Sequence, residues 1–162
     1  MSRFVGPDST GGVVSPAAVV VAFVWLSIAH ALAHEALAFG EHGDPNKPSR
    51  TVHVVMREDG SKMIYVPDTI EVKKGDQIRF VVDNEGLFNH EFILGTTHDI
   101  RSHAAAMKKN PDMKHDDGHS LTVGMLSRGE LHWRFTRAGR FVYACLIPGH
   151  LERGMKGTIV VK

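Results

Sequence analysis

The donor atoms in this sequence that could do chemistry are concentrated in one short segment near the C-terminus. Cys145, His150 and Met155 stand five residues apart and offer a thiolate, an imidazole and a thioether. A β-type run ends at the cysteine and another begins soon after the methionine, which predicts a loop joining two strands. Pro148-Gly149 supplies a bend in that loop. We therefore expect the three side chains to converge on one point.

Two histidines and one cysteine in a trigonal set, with a long axial methionine, form the ligand set of a blue-copper site. The second histidine must come from elsewhere, and His90 is the best candidate because it starts a predicted strand among apolar residues. His98 and His132 are the alternatives. Cys145 and Met155 could instead be core residues, and His90 a buried structural histidine. Zinc is the other metal to weigh, but a lone thiolate with a thioether favours copper.

Composition narrows the function classes. The chain of 162 residues has 11 His and 7 Met but a single Cys, so neither an internal disulfide nor an all-cysteine zinc site can form. Its 19 Lys and Arg nearly balance 18 Asp and Glu. That balance argues against nucleic-acid binding, which usually needs a concentrated basic face.

The elements that must position these donors are mainly strands. Short β-type runs separated by turn residues recur along the chain and predict an all-β sandwich or barrel. The runs span 51–57, 62–66, 69–73, 77–82, 90–94, 121–126, 130–136, 140–145 and 157–161. One segment differs: residues 99–109 are rich in alanine, begin at the N-cap candidate Asp99 and end before Asn110-Pro111, which predicts a short helical insertion.

The N-terminal segment has the features of an export signal. No Lys, Arg, Asp or Glu occurs between Asp8 and Glu35, and Ala31-Leu32-Ala33 gives the small-x-small pattern of a cleavage site. We expect residues 1–33 to be a signal peptide that directs the protein to the periplasm. The alternatives are cleavage at Ala36-Leu37-Ala38 and an uncleaved membrane anchor. Residues 34–50 are expected to be a polar linker and 51–162 the folded domain.

Taken together, the spacing Cys145-x4-His150-x4-Met155 and the upstream Asn89-His90-Glu91-Phe92 resemble the cupredoxins. The Cys-Leu-Ile-Pro-Gly-His loop is similar to that of rusticyanin. The whole pattern, with its His- and Met-rich insertion, looks like the periplasmic copper-tolerance cupredoxins of the CopI kind. The resemblance covers roughly residues 50–162. It implies a Greek-key β-sandwich that binds one type 1 copper through His90, Cys145 and His150, with Met155 axial.

The resemblance also implies roles around the site. Asn89 is similar to the cupredoxin asparagine that ties the two ligand loops together, an outer-shell role. The loop histidine, here His150, is expected to reach the surface within an apolar patch that serves a transient redox partner. Leu87, Leu146, Pro148 and Leu151 are the candidates for that patch.

A second, more labile copper-binding region is the hypothesis for the insertion at 98–119. Its donors are His98, His103, Met107, Met113, His115 and His119. His103 and Met107 are four apart and would share one helix face. The alternative is a solvated loop with Met107 packed into the core. His34 and His42, beside Glu35 and Glu41, offer a third place for copper, whereas His53 and His132 are expected to be structural.

Three function classes follow. A copper-tolerance cupredoxin that binds periplasmic copper is favoured by the insertion and the resemblance. A one-electron carrier between periplasmic partners is the alternative. An enzyme is not expected, because the chain is short and shows no paired catalytic carboxylates or nucleophile motif. The expected partners are copper ions and a transient redox or copper-transfer protein. The protein itself is expected to be a monomer.

Overall fold

The structure, a computed structural model, describes residues 37–110 and 118–162. These residues form ten strands and one helix. The elements are β1 (Gly40–His42), β2 (Arg50–Asp59), β3 (Lys62–Val66), β4 (Thr69–Val72), β5 (Gln77–Asn84), β6 (His90–Gly95), α1 (Thr97–Lys109), β7 (Ser120–Val123), β8 (Arg128–Phe135), β9 (Gly139–Ala144) and β10 (Lys156–Val161). The fold is therefore mainly β with a helical insertion, as predicted.

The strands form two five-stranded sheets. The first has the order β1-β8-β5-β2-β3 and the second β4-β10-β9-β6-β7. Side chains of both sheets form one hydrophobic core; for example, Phe80 of the first sheet and Phe92 of the second have ring centroids 5.1 Å apart. The chain crosses from one sheet to the other between β5 and β6, and His90 stands at the start of β6.

The segment before residue 50 is more than the expected polar linker. Gly40–His42 pairs antiparallel with β8, and Phe39 is buried with its ring 5.0 Å from that of Trp133. Strand β1 has only three residues and no alternating pattern, and the buried Phe39 directly before it contributes to the core. The predicted signal peptide, 1–33, lies outside the described residues.

The helical insertion begins earlier than predicted. Thr96, not Asp99, is the N-cap of α1, and its side chain accepts the Asp99 N–H. Asp99 is the third helical residue and bonds back to the Thr96 N–H, completing a capping box. Ile100 and Met107 pack α1 onto the second sheet, in a cluster with Ile93 and Leu146. Among the described residues, no helix is both long and apolar enough to cross a membrane.

Candidate metal centre

His90 is held at the start of β6, which lies between β9 and β7 in the second sheet. It pairs with Val123 of β7, and none of its surface is exposed. The five residues before it connect the two sheets. Asn84, at the end of β5, fixes this connection: its side-chain amide donates to the carbonyls of Phe88 (2.8 Å), Val123 (3.1 Å) and Gly124 (2.9 Å).

Backbone hydrogen bonds close the loop that carries the other donors. The Cys145 N–H donates to the Met155 carbonyl at 3.1 Å, and the Met155 N–H donates to the His150 carbonyl at 3.1 Å. A tight turn brings the His150 N–H to the Ile147 carbonyl at 3.0 Å. Gly149 lies within this turn at φ +89°, a conformation that suits glycine. The spacing in the sequence therefore folds as a compact loop.

The loop brings Cys145 and His150 up to His90. The Cys145 Sγ and His150 Nδ1 are 3.2 Å apart, and the His150 Nδ1 lies 3.2 Å from the His90 Nδ1. Within the described part of the chain, these three residues are the one group of three or more His, Cys, Asp or Glu whose ligand atoms all lie within 4.8 Å of one another. A thiol sulfur and two imidazole nitrogens thus point at one centre.

Burial sets the protonation of two of these donors. Burial raises the pKa of the Cys145 thiol to about 12, so the sulfur must lose a proton when it binds a metal ion. Burial, helped by His90, lowers the pKa of His150 to about 4, so its imidazole is neutral at pH 7. His90 and Cys145 are fully buried, whereas His150 keeps 8% of its surface exposed. His150 is thus the member of the trio that reaches solvent.

Glu91, which the sequence analysis missed, ties the two ligand segments together. Its N–H donates to the Cys145 Sγ at 3.4 Å, and its carboxyl oxygen accepts the Leu146 N–H at 3.1 Å. The structure gives Asn89 a different contact from the expected one: its side chain is exposed and accepts the Met125 N–H at 3.3 Å. The position directly after the histidine, rather than before it, faces the cysteine.

The carboxylate of Glu58, a residue of the first sheet, contacts His90. The Glu58 Oε1 lies 3.0 Å from the His90 Nε2, on the side of the ring remote from the sulfur. Its Oε2 accepts the Leu87 N–H at 3.1 Å. Partial burial raises the pKa of Glu58, but the hydrogen bonds from Leu87 and His90 outweigh it and lower that pKa overall. Glu58 is therefore ionised at neutral pH.

Met155 is buried beside the trio through its backbone bonds to Cys145 and His150. Its role as axial ligand stays a prediction. His98 and His132, the alternatives for His90, lie elsewhere: His98 is exposed in the first turn of α1, and His132 lies on β8. His53 is exposed on β2, as expected of a strand-surface histidine.

Among the described residues of the proposed second copper region, no group of three or more His, Cys, Asp or Glu converges on one point. Met107 is 3% exposed and packs in the apolar cluster under α1. This agrees with the alternative in which Met107 is a core residue. His103 is half-buried on α1, and His119 lies just before β7 with its ring 6.3 Å from that of Trp133. Met113, His115 and His34 lie outside the described residues. The His42 Nδ1 donates to the Gly118 carbonyl at 3.0 Å.

The exposed apolar patch differs from the expected one. Leu146 is buried and Leu151 half-buried, whereas Pro148 is exposed and Leu87 is 69% exposed, as expected. Two loops beside the donors, joined by the Asn89–Met125 bond, carry four of the five large hydrophobic residues exposed in the described ranges. We call these four the apolar patch: Leu87, Phe88, Met125 and Leu126. The Phe88 ring meets the His150 ring edge-on, with centroids 6.4 Å apart.

A family model described as copper binding proteins of the plastocyanin/azurin family matches residues 52–162. The chain belongs to this family. A copper-resistant cuproprotein CopI from Rubrivivax gelatinosus is 47% identical over 137 residues, covering 83% of this chain and 81% of that protein. The CopI of Pseudomonas aeruginosa is 33% identical and covers 89% and 93%. Auracyanin B has a similar fold, with TM-score 0.62 and 22% identity over 76% of this chain and 96% of that one.

Copper is thus the cofactor of this cupredoxin, and the residues present fit it. The set formed by His90, Cys145 and His150 matches a type 1 site in donor type, burial and convergence. The predicted CopI-like resemblance is confirmed by the two CopI relatives.

Proposed function

We propose that this protein is a periplasmic type 1 copper protein that serves copper tolerance. The buried trio of His90, Cys145 and His150 carries the proposal, because it supplies a complete trigonal ligand set. The similarity to two proteins named copper-resistant cuproprotein CopI supports the biological role.

The site is suited to hold copper in either oxidation state. When bound, the ion supplies one-electron redox chemistry. The protein fixes the donors: the backbone closes the Cys145–Met155 loop, and Glu91 joins it to the strand of His90. A rigid trigonal set lies between the preferences of Cu(I) and Cu(II), which minimises rearrangement when an electron is gained or lost. Met155 is proposed as the weak axial ligand.

The proposal also includes the cellular location of the protein, its oligomeric state and its lack of enzyme activity. Residues 1–33 act as an export signal, which places the folded domain in the periplasm, where copper enters the cell envelope. The protein works as a monomer that binds copper and is not an enzyme. The names of the two CopI relatives describe copper resistance, which supports the copper-binding part of this proposal.

Gene replacement tests the proposal. A strain that lacks the gene is complemented with the wild type, with Cys145→Ser, or with His53→Ala, a control that removes an exposed histidine on β2. We expect the wild type and the control to restore growth at raised copper, whereas Cys145→Ser does not. Equal growth of the deleted and complemented strains at every copper concentration would contradict a role in tolerance.

Electron transfer is the second candidate, and the apolar patch favours it. His150, at 8% exposure, is the one member of the trio that reaches solvent, and Phe88 of the patch packs against its ring. A redox partner that docks there would lie next to the copper. Leu126→Lys, with Val66→Lys as a control at another exposed apolar residue, tests this role. Slower electron exchange in the first variant alone, with a respiratory defect in the deletion strain, would favour the carrier over tolerance.

Labile copper at the insertion remains a third element of the proposal. Because Met107 is buried, the informative variant replaces His98, His103 and His119 and leaves the core intact. Copper stoichiometry is measured for this variant and for the wild type. More than one copper per chain, falling to one in the variant, would support the region; one copper in both would remove it.

A further inference from the structure

We propose that Glu58 is a positioning residue of the copper centre, which fixes the His90 ring and lowers the reduction potential of the bound copper. The inference goes beyond the proposed role in tolerance, since it holds whether the copper is stored or cycled. It requires only that copper binds at the trio.

Glu58 reaches His90 across the gap between the two sheets. It lies near the end of β2, with 22% of its side chain exposed, while the His90 side chain is fully buried at the start of β6. One carboxylate oxygen is 3.0 Å from the His90 Nε2, and the other accepts the Leu87 N–H at 3.1 Å. Both oxygens are thus engaged with the segment that carries the ligand, which restricts the carboxylate to this place.

The contact selects one form of the imidazole. An ionised carboxylate can only accept hydrogen bonds, so the Nε2 of His90 must carry the proton. The Nδ1 then presents its lone pair, and it is this atom that lies 3.2 Å from the His150 Nδ1 in the centre. Glu58 therefore orients the ring and leaves the correct nitrogen available for metal.

The neighbouring Gly86 makes room for this carboxylate. A Cβ atom at position 86 would lie 2.6 Å and 2.7 Å from the two oxygens of Glu58. The Gly86 backbone does not have a positive φ, so its conformation does not require glycine. The lack of room for a Cβ atom beside Glu58 is the better explanation for a glycine at this position. The substitution Gly86→Ala should therefore push the carboxylate away from His90 without removing its charge from the chain.

The charge of Glu58 acts on copper through the ring. A negative group beside the imidazole N–H increases the basicity of the ligand, and the more basic ligand stabilises Cu(II) more than Cu(I). Loss of such an outer-shell partner typically weakens metal binding about 10- to 100-fold. Each tenfold loss that falls on Cu(II) alone raises the potential of a one-electron couple by about 59 mV.

Two variants and one control test the inference in the full chain. Glu58→Gln keeps the shape and removes the charge, while Gly86→Ala keeps the charge and displaces it. The control, Glu85→Gln, removes the charge of an exposed residue from the same connection. Each protein is loaded with copper, and the reduction potential and the Cu(II) affinity are measured. Nitrogen-15 NMR of the Cu(I) form reports which His90 nitrogen carries the proton.

We expect both Glu58→Gln and Gly86→Ala to raise the potential and to weaken Cu(II) binding about tenfold or more, with Glu85→Gln close to the wild type. Potentials unchanged in both variants would overturn the inference. A rise in Glu58→Gln with no change in Gly86→Ala would also overturn it, because the effect of the charge would then not depend on the contact with His90. Failure of the wild type to bind copper at all would instead count against the trio as the metal centre.

Discussion

Replacing Glu91 by alanine should loosen the copper centre and destabilise the whole domain. Glu91 is 6% exposed, and its carboxyl oxygen accepts the Leu146 N–H at 3.1 Å, directly after the ligand Cys145. Truncation removes this acceptor from a buried donor. A buried polar group left without a partner costs about 1–3 kcal/mol, and we place Glu91→Ala near the upper end, at about 2–3 kcal/mol, because a cavity is added.

Thermal and urea unfolding of the metal-free protein measure this loss. For a domain of this size, 1 kcal/mol corresponds to about 4 °C, so the midpoint should fall by about 8–12 °C. Glu91→Gln keeps an acceptor and should lose less than half as much. The exposed control Glu71→Ala breaks only a surface pair with Lys162 and should change stability by less than about 1 kcal/mol.

The copper-loaded form gives a second measure of the same bond. The Glu91 N–H donates to the Cys145 Sγ from the backbone and survives the substitution, so copper should still bind. A shifted sulfur-to-copper absorption band is expected, because the loop that carries the sulfur is less constrained. If Glu91→Ala matched Glu71→Ala in both stability and spectrum, the claim that Glu91 joins the ligand segments would be refuted.

Three further predictions concern the surroundings of the trio. Met155→Leu should leave copper bound and raise the reduction potential, as measured by redox titration; an unchanged potential would argue against an axial Met155. Asn84→Ala removes four hydrogen bonds from a buried amide, three donated by its nitrogen and one accepted by its oxygen, and should cost about 2–3 kcal/mol in urea unfolding, whereas the exposed Asn46→Ala should cost far less. Because burial raises the pKa of the Cys145 thiol to about 12, copper binding at pH 7 should release a proton from the sulfur and strengthen as pH rises. Proton release that is the same in Cys145→Ser would contradict that source.

Local sequence carries much of this fold. Strand β3 has the predicted bounds, and the other strands that were predicted differ by a few residues at their ends. Alternating apolar residues and turn residues define these strands, because both act over short distances. The N-cap of α1 could also be predicted from sequence, because Thr96 and Asp99 have the spacing of a capping box. Asp99 was predicted as the N-cap because that spacing was not considered. Strand β1 was missed because three residues carry no periodicity.

In the candidate site, the metal ligands could be predicted from sequence, whereas the residues that hold them could not. His90, Cys145 and His150 were identified from residue type, spacing and resemblance. The partners that hold them were not, because they depend on contacts between distant parts of the chain. Glu58 lies 32 residues from His90, and nothing in its own strand marks it as special. Glu91 was adjacent to the ligand, but only the pairing of β6 with its neighbours shows that it faces Cys145.

The visible spectrum of the Cu(II)-loaded protein tests the central claim most directly, with Cys145→Ser measured beside the wild type. Serine keeps the size of the side chain but lacks the sulfur whose charge transfer to copper gives a type 1 site its intense colour. The account predicts an intense band in the wild type and none in Cys145→Ser. An intense band that survives in Cys145→Ser would show that the copper is held elsewhere.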